Sequence, residues 1–183
     1  ISSKQKEYLM LCSDSSKRLI DMVSDLLDIY KMEEGQLKLD IEEIKFTDIV
    51  ESCFAHLVGS DNSKMLELIN EIPDSFPIVK GDKEKLLRVL INLVANAIKF
   101  TPQKGRIVIV GKNYSEDKVR IGVIDTGEGI PVNYIDKVFD KFVQVENKQQ
   151  VKGPSTGLGL TFCKMVVEAH GGTMWAKNND NGQ

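Results

Sequence analysis

With 183 residues, 42% of them hydrophobic and 28% charged, the chain has the composition of an ordinary globular protein with one good core and room for an appendage. A net charge of −3 argues against nonspecific nucleic-acid binding, and no apolar run approaches the ~20 residues that span a bilayer. The three cysteines, Cys12, Cys53 and Cys163, are far apart and form neither a CxxC pair nor a metal-ligand cluster, so reduced thiols in a cytosol-like compartment are expected. There is no signal peptide and the first residue is Ile1, so the sequence reads as a piece of something longer, with any membrane segment outside it.

Residues 1–31 read as one long helix. Leu9, Cys12, Ser16, Leu19, Val23, Leu26 and Tyr30 recur at 3-4 spacing, a heptad seam that Ile20 and Leu27 widen. At ~1.5 Å per residue the rod is ~45 Å long and cannot bury such a stripe alone. Its partners are expected from a bundle or a second copy; the other reading lays it on the following domain. Gly35 ends it, and residues 36–41 alternate like a strand. Thr47 is read as the N-cap of a helix to Val58 with Ile49, Val50, Phe54 and Leu57 inward. His56 within it is read as packing or surface. Residues 66–72 are a second strand, and Pro73 to Gly81 a turn-rich connection.

Asp82 is a good N-cap for an apolar helix that Pro102 closes. Leu86, Val89, Leu90, Leu93, Val94, Ala97 and Ile98 form its broad apolar face. Asn92 and Asn96 fall one turn apart on one side, with Lys99 near the same edge. Two readings fit these residues: a solvated strip, or a polar edge toward a phosphate and its Mg²⁺, since an amide oxygen is a hard ligand and lysine supplies counter-charge. Strands follow at 106–111 and 118–125, with a turn over Asn113–Asp117. The second strand ends on Asp125 and runs into Thr126, Gly127, Glu128, Gly129, Ile130 and Pro131. Such glycines admit a ligand to the backbone, and a strand-end carboxylate can accept from the amino group of a flat ring; a plain turn would look the same.

Val132 to Val138 reads as a short helix, and Phe139 and Phe142 as core. Residues 144–156 are polar, unpatterned and long for an internal loop, hence a candidate lid. They lead into Gly157, Leu158, Gly159 and Leu160, which open an amphipathic helix through His170, and a glycine-rich helix start is a phosphate site by physics. Gly171-Gly172 stops it, and residues 173–176 begin another strand. Neither GxxxxGK[ST] nor a GxGxxG opening a βαβ unit occurs.

Taken together, NLVANAIKFTP, DTGEGI, FDKFVQ and STGLGL resemble, in order and spacing, the N, G1, F and G2 boxes of sensor histidine kinases. DLLDIYKMEEGQLKL is similar to the end of the second helix of their dimerisation domain, and VVEAHGG matches the family pattern, which makes His170 a scaffold residue. The resemblance covers essentially the whole chain. It implies an α+β fold shared with gyrase and MutL, a two-layer α/β sandwich with one mixed sheet under helices. Residues 1–35 would be the dimerisation helix and 36–183 the ATP-binding domain.

By resemblance, Asn96 chelates Mg²⁺, Asn92 sits near the phosphates, Lys99 reaches a phosphate and Phe100 borders the adenine. Asp125 accepts from the adenine amino group beside Gly127, Gly129 and Ile130. Thr156, Gly157, Leu158, Gly159 and Leu160 lie under the phosphates. Asn92 and Lys99 are the catalytic candidates. Gyrase-like relatives have a glutamate where Asn92 stands, and an amide cannot take a proton, so slow hydrolysis is expected. The implied partners are ATP or ADP, a histidine that receives the γ-phosphate, a response regulator and a second copy through the N-terminal helix. The implied setting is cytoplasmic, without nucleic acid.

Four departures stand out. The helix with the phospho-accepting histidine is absent, so the chain as given is not expected to autophosphorylate. Gln144 stands where many relatives have arginine. Ser155, preceded by Pro154, replaces the first glycine of the G2 box. The sequence also stops before the last strand. The competing reading is a non-catalytic nucleotide-sensing scaffold; a gyrase-like ATPase acting with nucleic acid is disfavoured by Asn92 and the charge.

Overall fold

The computed structural model describes residues 1–57, 64–145 and 156–179. In chain order the elements are α1 (Ser3–Glu33), β1 (Glu42–Ile44), α2 (Phe46–Leu57), β2 (Glu67–Glu71), β3 (Val79–Gly81), α3 (Lys83–Phe100), β4 (Arg106–Ser115), β5 (Lys118–Asp125), a 3₁₀ turn at Val132–Tyr134 and α4 (Gly159–Ala169). β4 is central to a mixed sheet, parallel to β2 and antiparallel to β5. β1 and β3 form a separate antiparallel pair.

Helix α3 belongs to two cores at once. Leu90, Val94 and Ala97 pack with Ile49, Val50 and Cys53 of α2 over Ile107 and Ile109 of the sheet. Val89 and Leu93 pack instead with Phe162, Cys163 and Val166 of α4 and with Ile29 and Met32 of α1. The broad apolar face read from the sequence is thus two adjoining faces, each with its own partner layer. The end of α1 is further held by Arg88 of α3, which ion-pairs with Asp25 and Asp28 and stacks on Phe162, and by Glu33, which meets Lys141. Most of the heptad seam stays outside both cores: Leu9, Leu19, Val23, Leu26 and Tyr30 are exposed.

Both ends of α3 are pinned. At its start the buried Asp82 carboxylate accepts from Lys85 N–H at 3.0 Å, Lys85 Nζ at 2.8 Å and Asp40 N–H at 3.1 Å. His170 Nε2 accepts from Asp82 N–H at 2.9 Å, and its Nδ1 lies 2.7 Å from Val166 O, so the proton sits on Nδ1. At its end Lys64 Nζ donates to the carbonyls of Ile98, Lys99 and Thr101 at 2.8, 2.9 and 3.1 Å, a charged cap on the negative end of the helix dipole.

Several local expectations are corrected. Residues 36–41 alternate but have no neighbour to pair with; Asp40 N–H goes to Asp82, and the strand forms at Glu42–Ile44, where Val79–Gly81 supplies a partner inside the expected turn region. Helix α2 starts at Phe46, whose ring is buried edge-on against Phe76, so Thr47 lies in the first turn and is not a cap. β4 continues to Ser115 past an irregularity at Asn113, leaving a tighter turn. The expected helix at 132–138 is a single 3₁₀ turn followed by non-helical turns. Residues 173–176 form no ladder: Met174 packs on the α4 core, Trp175 stacks on Arg120, and side chains further on hold the segment.

For the Asp82 cap, burial opposes ionisation, yet the bonds from Lys85 and the Asp40 amide outweigh it and hold the carboxyl below the ordinary aspartate range. Its charge therefore stabilises the fold above the unfolded value of about 3.9 and ceases to as pH falls through the lower folded value. Asp82→Asn should cost on the order of 1 kcal/mol at pH 7. In denaturant titrations its difference from wild type should shrink below about pH 4.

Candidate functional site

Asn92, Asn96, Lys99 and Phe100 are all half-buried on α3. From Asn92 to Phe100 the helix advances ~12 Å. At the Asn92 end the start of α4 comes close: a Cβ on Gly159 would lie 3.3 Å from Asn92 Oδ1. The buried Cys163 thiol of α4 donates to Val89 O of α3 with Sγ at 3.6 Å, so α4 is seated against the helix turn that carries Asn92. Asn96, one turn on, has no side-chain partner among the described residues. Lys99 Nζ has no carboxylate among them either; it lies 5.1 Å from the Phe100 ring, and burial pulls its pKa below the ordinary lysine value. A partly desolvated ammonium with no carboxylate beside it among the described residues can receive an anion.

At the Phe100 end the turn after β5 folds onto the helix. Asp125 Oδ1 accepts from Gly127 N–H at 2.8 Å. A Cβ on Gly127 would meet Asp125 Oδ1 at 2.5 Å and Phe100 O at 3.0 Å, so only glycine lets turn and helix end approach. Gly129 has φ of +76. Asp125 and Phe100, 25 positions apart in sequence, are neighbours through this one residue.

The second glycine segment is split in role. Gly157 has φ of +69, and a Cβ there would meet the Phe142 backbone at 2.8 Å. Phe142 N–H donates to Gly157 O at 3.0 Å. Leu158, expected under the phosphates, has its side chain buried in the α4 core and its N–H taken by Thr156 Oγ1 at 3.2 Å. Helix α4 begins at Gly159, so its free N–H groups are those of Gly159, Leu160 and Thr161. Phe142, read as core, is exposed; only Phe139 of that pair is buried. The lid reading for 144–156, with Pro154 and Ser155, rests on residues 146–155, which lie outside the described residues.

Sequence reasoning missed the residues that hold this arrangement, one inside the DTGEGI run and two beyond the last box. Thr126 ties the turn to Arg106 of β4, and Asn178 and Asn179 reach it from the chain after α4. No local spacing announces such contacts. Among the described residues no group of three or more His, Cys, Asp or Glu could hold a metal, so a cation here would rest on an amide oxygen, water and the ligand's own oxygens.

A helix-on-sheet domain carrying two polar side chains without a side-chain partner among the described residues, a glycine-admitted carboxylate and a helix N-terminus along one edge is the class these elements define. Residues 81–183 match the family described as histidine kinase-, DNA gyrase B-, and HSP90-like ATPase. The chain belongs to that family.

It is 33% identical over 170 residues to the sensor histidine kinase WalK of Bacillus subtilis, covering 92% of this chain and 28% of that protein. It is 32% identical over 176 residues to the adaptive-response sensory kinase SasA of Synechococcus elongatus, covering 93% and 45%. Among solved structures, the catalytic domain of histidine kinase ThkA superposes with a TM-score of 0.66 at 29% identity, over 78% of this chain and 91% of that one. Full-length ShkA in complex with AMPPNP superposes with a TM-score of 0.77 at 22% identity, over 93% and 35%, a likeness of fold. The chain thus spans less than half the length of these two curated relatives.

Burial pushes the Cys163 and Cys53 thiols up to about 12, whereas Cys12 is exposed. At neutral pH a thiol reagent should label Cys12 at once and the other two only on unfolding. Fast labelling of Cys163 in the folded protein would mean that the α3–α4 seam, and with it the seat of Asn92, is open.

Proposed function

We propose that this chain is the Mg²⁺–ATP-binding catalytic module of a sensor histidine kinase, with residues 1–35 as part of the dimerisation helix. The γ-phosphate would pass to a histidine outside this sequence and then to a response-regulator aspartate. The observation that carries the reading is the edge of α3: Asn92, Asn96 and Lys99 lie between the N-terminus of α4 and the Asp125–Gly127 turn, with no carboxylate salting the lysine among the described residues. The relatives' names agree with it.

In this reading Asp125 accepts from the adenine amino group, with Phe100, Gly129 and Ile130 beside the ring. Lys99 and the free N–H groups opening α4 neutralise phosphate charge. Asn96 offers Mg²⁺ one amide oxygen, which suits a cation that keeps most of its water and takes phosphate oxygens; the ion would draw charge off the transferring group. Asn92, beside Gly159 at the start of α4, can hydrogen-bond but cannot accept a proton, so it does not activate water. ATP would then be held for transfer and only slowly hydrolysed. The exposed stripe of α1 supports pairing with a second copy, and no helix among the described residues is long and apolar enough to cross a membrane.

Asn96→Ala should abolish the Mg²⁺-dependent part of ATP binding in calorimetry while leaving the thermal melt near wild type; unchanged affinity would remove the metal role. Asp125→Asn should cut ATP affinity roughly tenfold or more and erase the preference for ATP over GTP. Retained preference would move the base elsewhere.

A further inference from the structure

The turn from Thr126 to Ile130 follows the end of the β5 ladder, where Asp125 pairs with Ile107, and is anchored at two ends by different means. Its near end is tied to β4: Thr126 N–H donates to Arg106 O at 3.1 Å and Thr126 Oγ1 accepts from Arg106 N–H at 2.9 Å. Its far end is held by a side chain from the segment after α4. Asn178 Oδ1 accepts from Ile130 N–H at 2.8 Å, and Asn178 Nδ2 donates to Ile130 O at 2.8 Å. One primary amide thus meets both polar groups of one residue, as a neighbouring strand's backbone would. Asn179 Nδ2 donates to Asp125 O at 3.1 Å. The two asparagines bracket a stretch whose two glycines make it costly to order.

We infer that Asn178, backed by Asn179, is a positioning residue for nucleobase selection. It fixes the far end of the turn so that the Asp125 carboxylate stays at one place beside Phe100. The inference rests on the nucleotide reading above and adds to it the residue that makes the base contact selective. Only a primary amide fills the role: a carboxylate keeps the acceptor for Ile130 N–H but loses the donor to Ile130 O, and alanine loses both.

The test uses calorimetry with Mg²⁺–ATP and Mg²⁺–GTP on wild type, Asn178→Asp and Asn178→Ala, with amide hydrogen exchange at Ile130 and a thermal melt on each. Both variants should lose roughly tenfold in ATP affinity while GTP affinity moves by less than about threefold, collapsing the preference. Exchange at Ile130 should speed up in Asn178→Ala and stay slow in Asn178→Asp. An ATP-to-GTP ratio kept at the wild-type value in both variants overturns the positioning role, including the case in which both affinities fall together with the melting temperature, which is what a purely structural tie would do. Wild type that binds neither nucleotide overturns the nucleotide reading itself, and slow Ile130 exchange in that same sample would show the clamp intact, so the two failures are distinct.

Discussion

The electrostatic pinning of α3 at both ends is the constraint on which the rest of the structure depends. At its start the Lys85 N–H donates to the Asp82 carboxylate while the Asp82 N–H donates to His170, and its C-terminal carbonyls accept from the Lys64 ammonium. Between these caps one helix supplies side chains to two separate cores. A helix so held can neither slide nor rotate without losing contacts on both sides, and a rotation of one residue, ~100°, would turn Asn92, Asn96 and Lys99 away from α4 and the Asp125 turn. The polar edge is thus fixed by apolar packing on its other faces, which is why two mediocre helix formers can be carried there.

Around this helix the parts of the proposed site and its supports come from ends of elements. The end of β5 contributes Asp125, the start of α4 its N–H groups, and the chain after α4 the two asparagines. Two backbone approaches leave little or no room for a methyl group, Gly127 against Phe100 and Gly157 against Phe142. The glycines therefore read as points of backbone contact between elements. Arg88 adds a second tie of a different kind, joining α1 to the same helix one turn before Asn92. Helix α1 and the proposed nucleotide edge are thereby tied to one element.

What was legible in the sequence is what depends on local period and local chemistry. The 3.6-residue pattern of α3, its Asp82 cap, the alternation of β4 and β5 and the long amphipathic α1 could all be read residue by residue, because each needs only its own side chains to declare itself. The alternation at 36–41 was misleading because a strand needs a partner, and the partner present among the described residues, Val79–Gly81, lies opposite 42–44. Residues 173–176 alternate in burial but exchange no ladder bonds. Lys64, Thr126, Asn178 and Asn179 left no signal, since each acts on backbone 20 to 54 positions away, or about 34 for Lys64, and polar residues in loops carry no period. Leu158, a motif position read as lying under the phosphates, has its side chain in the core, and the residues after it open the helix.

The most direct measurement of the central claim is nuclear magnetic resonance of the side-chain amides during titration with ATP, with a trace of paramagnetic Mn²⁺ in place of Mg²⁺. If the edge of α3 holds a metal-bound nucleotide, the Asn96 amide should broaden first and Asn92 next, with Asn70 on β2 unaffected. Broadening of other asparagines with Asn96 sharp, or none at all in a folded sample saturated with ATP, would contradict it.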